Sequence, residues 1–418
     1  MYRHLASECP AHDQAEGGGD NPQWPEPPEP PEPPSWPPKP PGDEPRPRPP
    51  AHPGKPPGHP QHPPPHHSRP HIHNETIWQL ISKSNYTKKF AEYVAEFEDL
   101  VTLLNSTVAN YTVFVPTDRA FDNVEKHIHN KHPSKEKIKQ ALTYHITNEP
   151  FPIFKLLLSH TIPSALHSDQ LGGPQRLRIG LGPHGFAVNF YSHIVAGNIF
   201  ASNGVIHGVD NILIPPPDVE VILSLFPTQF STFSLAAHLT NLKADLPAVT
   251  RGGTLFAPPN SAWERLPRKV NAFLFSPFGR KYLKALLQYH VVLNETLYSD
   301  AYYHPIAQEG EVQSLPKGQY HVDLPTLLEG KHLSIDISRF GGFINIVING
   351  QSVVRVQDGI ARNGVIQVVK NVLIPPRKPP ADPVEAARRE MEDIEIQHGI
   401  GEMTLEDFKS RFEGLLED

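Results

Sequence analysis

The amino-acid sequence predicts an α+β protein that contains two tandem copies of one fold. Three blocks of sequence occur twice, in the same order. They are TVFVPTDRAF (112–121) and TLFAPPNSAW (254–263), YHIT (144–147) and YHVV (289–292), and NGVIHGVDNILIPP (203–216) and NGVIQVVKNVLIPP (363–376). The copies lie too far apart for a solenoid repeat, whose period is roughly 20–50 residues. We therefore predict domains at 74–217 and 218–376, preceded by a segment at 1–73 and followed by a tail at 377–418. The second copy has 15 additional residues between its second and third blocks, and we expect them to lie in loops.

The segment 1–73 is rich in proline and histidine and is predicted to be disordered. Strings such as PEPPEPPEPPSWPPKPP contain too few apolar side chains to offset the entropy lost on ordering, and proline favours an extended polyproline II conformation. Two alternative roles are a stiff spacer and a ligand for grooves lined by aromatic side chains. The histidines of this segment have no fixed geometry, so no metal site is predicted.

Each predicted domain begins with helices and continues with strands, an order that suits an α+β domain. Stretches at 76–104 and 219–242 have apolar residues at helical spacing. In the second stretch these residues are Val221, Leu225, Leu235, Leu239 and Leu242. The sequence TVFVP that follows the first stretch is typical of a buried strand ending at Pro116, and a short helix is expected after it.

The third repeated block predicts a turn and a strand in each copy. Asn203-Gly204 and Asn363-Gly364 are a residue pair preferred in tight turns with positive φ, and strand-like sequence follows both. Upstream, GLGPHG (180–185) matches the glycine pattern of a dinucleotide-binding loop. Such a site needs a helix after the loop, whereas β-type sequence follows here. We therefore predict a hairpin at this position, a second one within 332–347, and no cofactor.

Composition and motifs argue against several classes of function. The 418 residues include 38 Lys+Arg and 45 Asp+Glu, and the middle of the chain is nearly neutral, so no basic surface for nucleic acid is indicated. The single cysteine, Cys9, excludes an internal disulfide framework. No apolar run is long enough for a transmembrane segment, and no common nucleophile, zinc-protease or phosphate-loop motif occurs. The protein is predicted not to be an enzyme; a hydrolase with an unrecognised site is the alternative.

Asn-x-Thr sequons indicate passage through the secretory pathway. The acceptors are Asn74, Asn85, Asn105, Asn110 and Asn294. We expect glycans at several of them, with Asn110 the least certain because a strand is predicted to begin close after it. The start MYRHLASECP lacks the apolar core of a signal peptide, which by itself favours a cytosolic protein. We give the sequons more weight and expect a secretory protein whose leader is not visible in this sequence.

The three repeated blocks resemble, in sequence and in order, the motifs of fasciclin-type (FAS1) domains. These motifs are T-x-F-x-P-T/S-D/N-x-A-F, a Tyr-His pair and N-G-V-I-H-x-x-D-x-x-L-x-P. The resemblance extends over both copies and includes fungal proteins with two such domains. It implies a wedge of β-sheet with packed helices, and glycoproteins that are mostly secreted or surface-anchored, with adhesive or matrix roles. Fungal members are also associated with the vacuole. The second copy departs from this pattern, because it has Gln367 and Lys370 in place of His207 and Asp210 and so lacks the His–Asp pair.

The candidate site residues are the pairs Tyr144-His145 and Tyr289-His290. Each pair follows an apolar helical stretch and precedes β-type sequence. A histidine there could act as a pH switch or a partner contact, because its ordinary pKa is about 6.5. Alternatively, a half-buried ring bonds a backbone carbonyl and fixes the corner between two elements. We favour this structural alternative.

The tail at 377–418 is acidic and predicted to be helical. Thr404 is a suitable helix start, and Leu405, Phe408 and Phe412 recur on one face. This face either docks on a partner or on the preceding domain, or the tail is solvated.

We therefore expect a non-enzymatic adhesion, matrix or scaffolding glycoprotein of the secretory pathway, located at the cell surface, outside the cell or in the vacuole. Its expected partners are proteins or glycans, with no nucleic acid and no cofactor. A vacuolar lumenal protein of unknown role is the alternative.

Overall fold

The computed structural model describes residues 73–125, 133–246, 251–304, 313–377, 388, 391 and 403–416. The predicted disordered segment lies, except for His73, outside these residues. What was predicted for it therefore stays a prediction.

The first domain begins with helices and continues with a β-sheet. Its helices are α1 Ile77–Lys83, α2 Lys88–Ala95, α3 Glu98–Asn105, α4 Asp118–Glu125, α5 Lys135–Tyr144 and α6 Ile153–Leu156. Its strands are β1 Tyr111–Pro116, β2 Ile146–Thr147, β3 Thr161–Ser168, β4 Gly173–Gly182, β5 Gly185–Val188, β6 Ser192–Ala201 and β7 Gly204–Val209. A capping box between Thr76 and Gln79 satisfies the free N–H groups at the start of α1.

The second domain follows the same plan. Its helices are α7 Val219–Leu225, α8 Pro227–Leu239, α9 Leu242–Asp245, α10 Asn260–Glu264, α11 Arg268–Leu274 and α12 Arg280–Gln288, with a 3₁₀ turn at Pro277–Gly279. Its strands are β8 Gly253–Ala257, β9 Val291–Leu293, β10 Thr296–Leu297, β11 Ala301–Tyr303, β12 Gln313–Ser314, β13 Gly318–Pro325, β14 His332–Phe340, β15 Phe343–Ile348, β16 Ser352–Ala361 and β17 Gly364–Val369.

The large sheets of the two domains have the same topology. Within the described residues each has seven strands, in the orders β2-β1-β7-β6-β5-β4-β3 and β9-β8-β17-β16-β15-β14-β13. In each sheet the strand of the first repeated block pairs in parallel with the strand of the third, β1 with β7 and β8 with β17. The prediction of an α+β protein with two copies of one fold is confirmed.

Parallel pairing buries β1 on both faces. Val113 and Val115 pack on the helix side of the sheet, in a cluster with Phe90. Phe114, between them, packs on the other side with Tyr144. Alternate side chains of a strand point to opposite faces, so this continuous apolar run is what a strand covered on both sides requires.

The second predicted helical stretch is helical, but a different face of it is buried. Val221 and Leu235 were assigned to the apolar face, and their side chains are 45% and 51% exposed. Phe230 and Phe233 of α8 contact the core instead. The cause is the break between α7 and α8 before Pro227, which prevents one helical periodicity from running through the whole stretch.

The Asn-Gly pairs precede β7 and β17 as predicted, but only the glycines have positive φ. A Cβ on Gly204 would lie 2.0 Å from the carbonyl oxygen of Tyr111, and one on Gly364 would lie 2.3 Å from that of Gly253. Glycine is therefore needed where the parallel strands approach closely. Asn203 instead uses its buried side chain, which accepts a hydrogen bond from the start of α1 and donates to carbonyls at the end of α3.

Both predicted hairpins are present. Strands β4 and β5 pair around the GLGPHG string, with Gly182 opposite Gly185. Strands β14 and β15 pair in the same way, with Phe340 opposite Phe343. The glycine pattern at 180–185 is thus a hairpin turn with no helix after it, which removes the geometric basis of a dinucleotide site there.

The additional residues of the second domain were predicted to lie in loops, and this is wrong. They include a small sheet of order β10-β11-β12 between β9 and β13. Tyr302 and Tyr303 of β11 are buried. Aromatic residues are common in strands whose side chains are buried by neighbouring elements, and the second domain buries these two rings.

A helix at Leu405–Ser410, which we call the tail helix, packs on the second domain. Thr404 and Asp407 form a capping box at its start. Phe408 and Phe412 are fully buried, and the Tyr282 ring lies 5.9 Å from that of Phe412. For this part of the tail, the structure shows docking on the preceding domain.

Candidate functional site

The Tyr-His pairs lie where α5 and α12 end. Tyr144 is the last residue of α5, and Tyr289 directly follows α12. All four side chains, including those of His145 and His290, are at most 1% exposed. The apolar helix face that precedes each pair turns both rings into the core.

The two histidines make the same pair of hydrogen bonds. In the first domain, His145 Nδ1 lies 2.7 Å from the Ala141 carbonyl oxygen, and Nε2 accepts from the Leu213 N–H at 2.9 Å. In the second domain, His290 makes the equivalent bonds, at 2.7 and 2.9 Å, to one carbonyl of α12 and one N–H beyond β17. Because Nε2 accepts from an N–H, the proton of the neutral ring is on Nδ1. Burial lowers the pKa of both histidines to about 4.

The two tyrosine hydroxyls make equivalent hydrogen bonds, although the one that Tyr289 donates, to the His332 carbonyl oxygen, is longer at 3.3 Å. Tyr144 Oη donates to the Arg176 carbonyl oxygen at 2.8 Å and accepts from Asn189 Nδ2 at 2.9 Å. Tyr289 Oη accepts from Asn349 Nδ2 at 2.9 Å, and burial raises its pKa to about 12. Both asparagines have a left-handed backbone, a conformation that asparagine tolerates better than most residues.

This geometry favours the structural alternative for the Tyr-His pairs. A partner contact requires an accessible ring, whereas all four rings here are buried. Each histidine ring also connects a helix end to a backbone segment beyond the sheet. A pH switch near pH 6.5 also loses its basis, since burial moves the histidine pKa well below that value.

Gln367 takes over the hydrogen bonds that His207 makes in the first domain. His207 Nε2 lies 2.8 Å from the Phe151 carbonyl oxygen, and Gln367 Nε2 donates to that of Leu297 at 2.9 Å. The second polar atom of each side chain accepts from a backbone N–H, that of Asp358 in the case of Gln367. The substitution therefore preserves a structural bridge.

His207 and Asp210 do not bond each other. The Asp210 carboxylate accepts from the His193 N–H at 2.7 Å and lies 3.3 Å from His193 Nδ1. Among the described residues, no group of three or more His, Cys, Asp or Glu side chains could hold a metal ion.

The contact between the two domains contains a buried ion pair that sequence reasoning missed. Asp300, beside β11, accepts hydrogen bonds from the N–H groups of His160 and Thr161 at 2.9 and 2.8 Å, and from the Thr161 hydroxyl. Arg176 Nη2 lies 3.7 Å from Asp300 Oδ1, and both side chains are buried. Burial alone would lower the pKa of Arg176, but Asp300 and Tyr303 outweigh it and the net shift is upward.

Further hydrogen bonds join the domains on either side of this pair. Gln175 Nε2 donates to the Ala361 carbonyl oxygen at 3.0 Å, and the Tyr303 hydroxyl donates to that of Pro174 at 2.7 Å. Arg178 Nε donates to the Gln357 carbonyl oxygen at 2.9 Å. Buried hydrogen bonds of this kind specify how the two domains pack against each other.

A cleft of about 450 Å³ opens at the junction beside Arg176 and Asp300. Its walls are mainly polar and include Glu149, Lys155 and Arg339. Several of these charges are already bonded: Lys155 Nζ lies 3.0 Å from Glu149, and Arg339 donates to the Leu315 carbonyl oxygen. The cleft therefore offers a charged surface on which part of the charge is already paired.

Large apolar side chains are exposed around the same contact. Their exposed fractions are 70% for Phe154, 48% for Leu157, 47% for Leu158, 63% for Phe340 and 85% for Phe343. We call these five residues the junction patch. Its two parts meet at Gly342, whose carbonyl oxygen lies 2.9 Å from His160 Nε2. Leu158 also lines the cleft, so the junction patch and the cleft are continuous.

Comparison with known families identifies the fold. The sequence model of the fasciclin domain matches residues 85–215 and 228–375. The chain belongs to the fasciclin domain family. Both seven-stranded sheets fall largely within the matched residues, so each is the sheet of one fasciclin domain.

Several curated proteins are similar to this fasciclin pair. Aurofusarin biosynthesis cluster protein S of Gibberella zeae is 29% identical over 326 residues, which is 74% of this chain and 79% of that protein. Human periostin is 31% identical over 274 residues, 64% of this chain and 28% of periostin. Transforming growth factor-beta-induced protein ig-h3 of Sus scrofa is 23% identical over 270 residues, 64% of this chain and 35% of that protein. The chain thus spans well under two thirds of these animal relatives.

Among solved structures, a FAS1 domain pair from the insect cell adhesion molecule fasciclin I is similar to this chain. The sequence identity is 20% and the TM-score is 0.33, and the match covers 69% of this chain and 96% of that one.

Within the part of this chain that the structure describes, no helix is both long and apolar enough to cross a bilayer.

The five predicted glycan acceptors are all exposed on the fasciclin domains. Four lie near α1, α2, α3 and the start of β1, and Asn294 lies after β9. Asn110 is exposed although β1 begins at Tyr111. The Asn105 and Asn294 side chains accept hydrogen bonds from Thr76 and from the Arg251 N–H. Glycan occupancy at all five acceptors stays a prediction.

Proposed function

We propose that this protein is a non-enzymatic adhesion or scaffolding glycoprotein of the secretory pathway that acts through the surfaces of its fasciclin domains. Membership of the fasciclin family supports a role of this type. The expected partner is a protein or a glycan at a cell surface or in the vacuole.

The observation that carries the proposal is the exposure of the junction patch. Single exposed apolar residues are normal on a protein surface, whereas a cluster beside a polar rim marks an interaction site. In contrast, the Tyr-His pairs and His207, which the sequence singles out, are buried and hydrogen-bonded within the domains. Accessible contact surface is therefore what this fold offers.

Binding of the full chain to cells or wall material of the native host tests the proposal. We expect Phe343→Ser and Phe154→Ser to lose binding, because each removes an exposed apolar ring from the junction patch. Phe278→Ser is the matched control, since Phe278 is as exposed as Phe343, at 85%, but lies on the 3₁₀ turn before α12. Equal binding by the three variants would contradict a role for the patch.

The secretory route is supported by the exposed sequons. Intact mass of protein from the native host, measured with and without an N-glycan-removing enzyme, should differ by the mass of one or more glycans. An unchanged mass would remove the main support for this route. A fluorescent fusion then distinguishes the cell surface from the alternative location, the vacuolar lumen.

The relative from Gibberella zeae favours a second candidate function, because the match extends over most of both chains. Its name places that protein in a biosynthesis cluster, so this chain would be a non-catalytic accessory of biosynthetic enzymes. Deleting the gene and measuring metabolites of neighbouring biosynthetic genes tests this. A hydrolase is the weaker alternative, since in the junction cleft Lys155 is paired with Glu149 and Arg176 with Asp300.

A further inference from the structure

Arg339 is a charged residue on the face of β14 that otherwise packs inward. Side chains of a strand alternate between its two faces, and the face of Arg339 also carries Ile335 and Ile337, which are fully buried. Arg339 follows them near the end of the strand, where it is half-buried and lines the junction cleft. Because a guanidinium stays charged in a protein, this residue brings a positive charge into the cleft.

One edge of the Arg339 guanidinium is available to a ligand. Nη1 donates to the Leu315 carbonyl oxygen and lies 3.5 Å from that of Pro316, which holds the group in place. Within the part of the chain that the structure describes, Nε and Nη2 donate to no protein acceptor, and neither is a buried atom. The N–H groups of Nε and Nη2 form a parallel fork, the geometry that binds both oxygens of a carboxylate.

The charges of the cleft leave Arg339 as its unpaired cation among the described residues. Lys155 Nζ lies 3.0 Å from the Glu149 carboxylate, and Arg176 Nη2 lies 3.7 Å from that of Asp300. These four charges cancel in pairs, so the net charge of the lining residues is that of Arg339. A monovalent anion is therefore favoured over a dianion such as phosphate, which the two carboxylates of the cleft would repel.

The surroundings of the cleft indicate which molecule carries this anion. Leu158 belongs to the cleft and to the junction patch, and Phe340 and Phe343 lie on the same hairpin as Arg339. Exposed phenylalanines beside an arginine are typical of the centre of protein–protein interfaces. An acidic side chain flanked by large apolar side chains matches both parts of the surface. A sugar acid supplies the carboxylate but less apolar surface to bury against the patch.

We propose that the junction cleft binds an aspartate or glutamate side chain of a protein partner, with Arg339 Nε and Nη2 as paired donors to its carboxylate. Apolar residues that flank this carboxylate in the partner cover the junction patch. The cleft volume of about 450 Å³ is within the range of about 300–1,000 Å³ that is usual for ligand pockets. This inference rests on the proposed function, because it names the chemistry of the partner that binds the same surface.

Selection of a phage-displayed library of random peptides on the immobilised full chain tests the proposal. The same selection on Arg339→Gln identifies the peptides that depend on the guanidinium. We expect the peptides enriched on the wild type alone to carry Asp or Glu beside Phe, Leu or another large apolar residue. Enriched peptides without an acidic residue, or the same peptides on both proteins, would overturn the proposal.

Titration calorimetry with one enriched peptide and its amide twin measures the contribution of the carboxylate. In the twin, the acidic residue is replaced by Asn or Gln. On the wild type the twin should bind at least about tenfold more weakly, because a charge-assisted pair of hydrogen bonds is lost. Arg339→Gln should bind both peptides equally. The matched control Arg268→Gln changes an exposed arginine of α11 outside the cleft and should retain the difference.

Lys155→Gln gives a second test that leaves the hydrogen bonds of Arg339 intact. It removes the partner of Glu149 and makes the cleft neutral, so it should weaken binding of the acidic peptide more than binding of its twin. Thermal unfolding checks that both variants are folded, and Lys155→Gln decides alone if Arg339→Gln is not. An undiminished preference for the acidic peptide in the folded variants overturns the assignment.

Oligogalacturonate, a chain of sugar acids, is the competing probe. If Arg339→Gln abolishes binding of this probe and no acidic peptide binds, the proposal is overturned in favour of an acidic glycan. Binding to cells of the native host separates this inference from the proposed function. Loss of that binding by Phe343→Ser but not by Arg339→Gln would leave the proposed function standing and remove the carboxylate site alone.

Discussion

The Tyr-His sites occur once in each domain and make matching bonds, whereas the ion pair at the junction occurs once among the residues that the structure describes. His145 and His290 both connect the end of a helix to a backbone N–H beyond β7 or β17. Asp300 lies in the part of the second domain that has no counterpart in the first, beside Arg176 of the other domain. The comparison indicates that repeated residues maintain each domain and that unrepeated residues hold the two together.

The largest effect is expected for Tyr144→Ala and Tyr289→Ala. Each removes a fully buried ring and leaves a cavity, which should lower the free energy of unfolding by about 3–5 kcal/mol. Tyr289→Phe, which removes only the hydroxyl, should cost about 1 kcal/mol. Urea unfolding measures all three. Alanine variants of normal stability that no longer bind partner would instead make these tyrosines contact residues.

Acid should destabilise both domains through His145 and His290. The folded pKa of each is lowered from 6.5 to about 4, so between these values the unfolded chain binds more protons. The contribution of each histidine to the free energy of unfolding is therefore fully present above about pH 6.5. It is lost as the pH falls toward 4, by about 3 kcal/mol per histidine. Unfolding midpoints between pH 7 and 4.5 measure this. A His290→Gln variant with an undiminished pH dependence would contradict the assignment to His290.

Breaking the junction should weaken the contact between the domains. Asp300→Asn removes the charge opposite Arg176 and one of the accepting oxygens, which should cost about 1–3 kcal/mol. Hydrogen exchange should rise at Thr161 and on β11 and stay unchanged at the Tyr-His sites. Asp323→Asn is the control, because Asp323 is an exposed aspartate on β13. Faster exchange at the Tyr-His sites would show that the two regions are not separate.

The smallest effect is expected for His207→Gln. The second domain already has glutamine at this position with matching hydrogen bonds, so the change should cost no more than about 1 kcal/mol. His207→Ala leaves the Phe151 carbonyl without its donor and should cost about 1–3 kcal/mol. Thermal unfolding compares the two variants. Equal losses would mean that glutamine does not replace the histidine bridge.

Features that repeat or alternate along the chain could be predicted from the sequence. The strands of the first and third blocks, the hairpins and the cap at Thr404 all follow from local patterns, whereas the parallel pairing of those strands does not. The junction could not be predicted, because Asp300 and Arg176 lie far apart in the chain and no local pattern brings them together. Asn189 and Asn349 were missed too, although each follows a strand at an equivalent place. An unrepeated stretch within a duplicated sequence is the one available signal for the contact between the copies.

Because buried hydrogen bonds join the domains, their surfaces are held at one spacing and one orientation. Two modules on a free linker bind a second site with an effective concentration set by the length of that linker. This pair has no such freedom at the junction. A ligand with two epitopes gains avidity only when its own spacing matches that of the pair, and a mismatched ligand gains none. A hydrogen-bonded junction thus makes the geometry of a partner, and not merely its valency, a quantity that selects it.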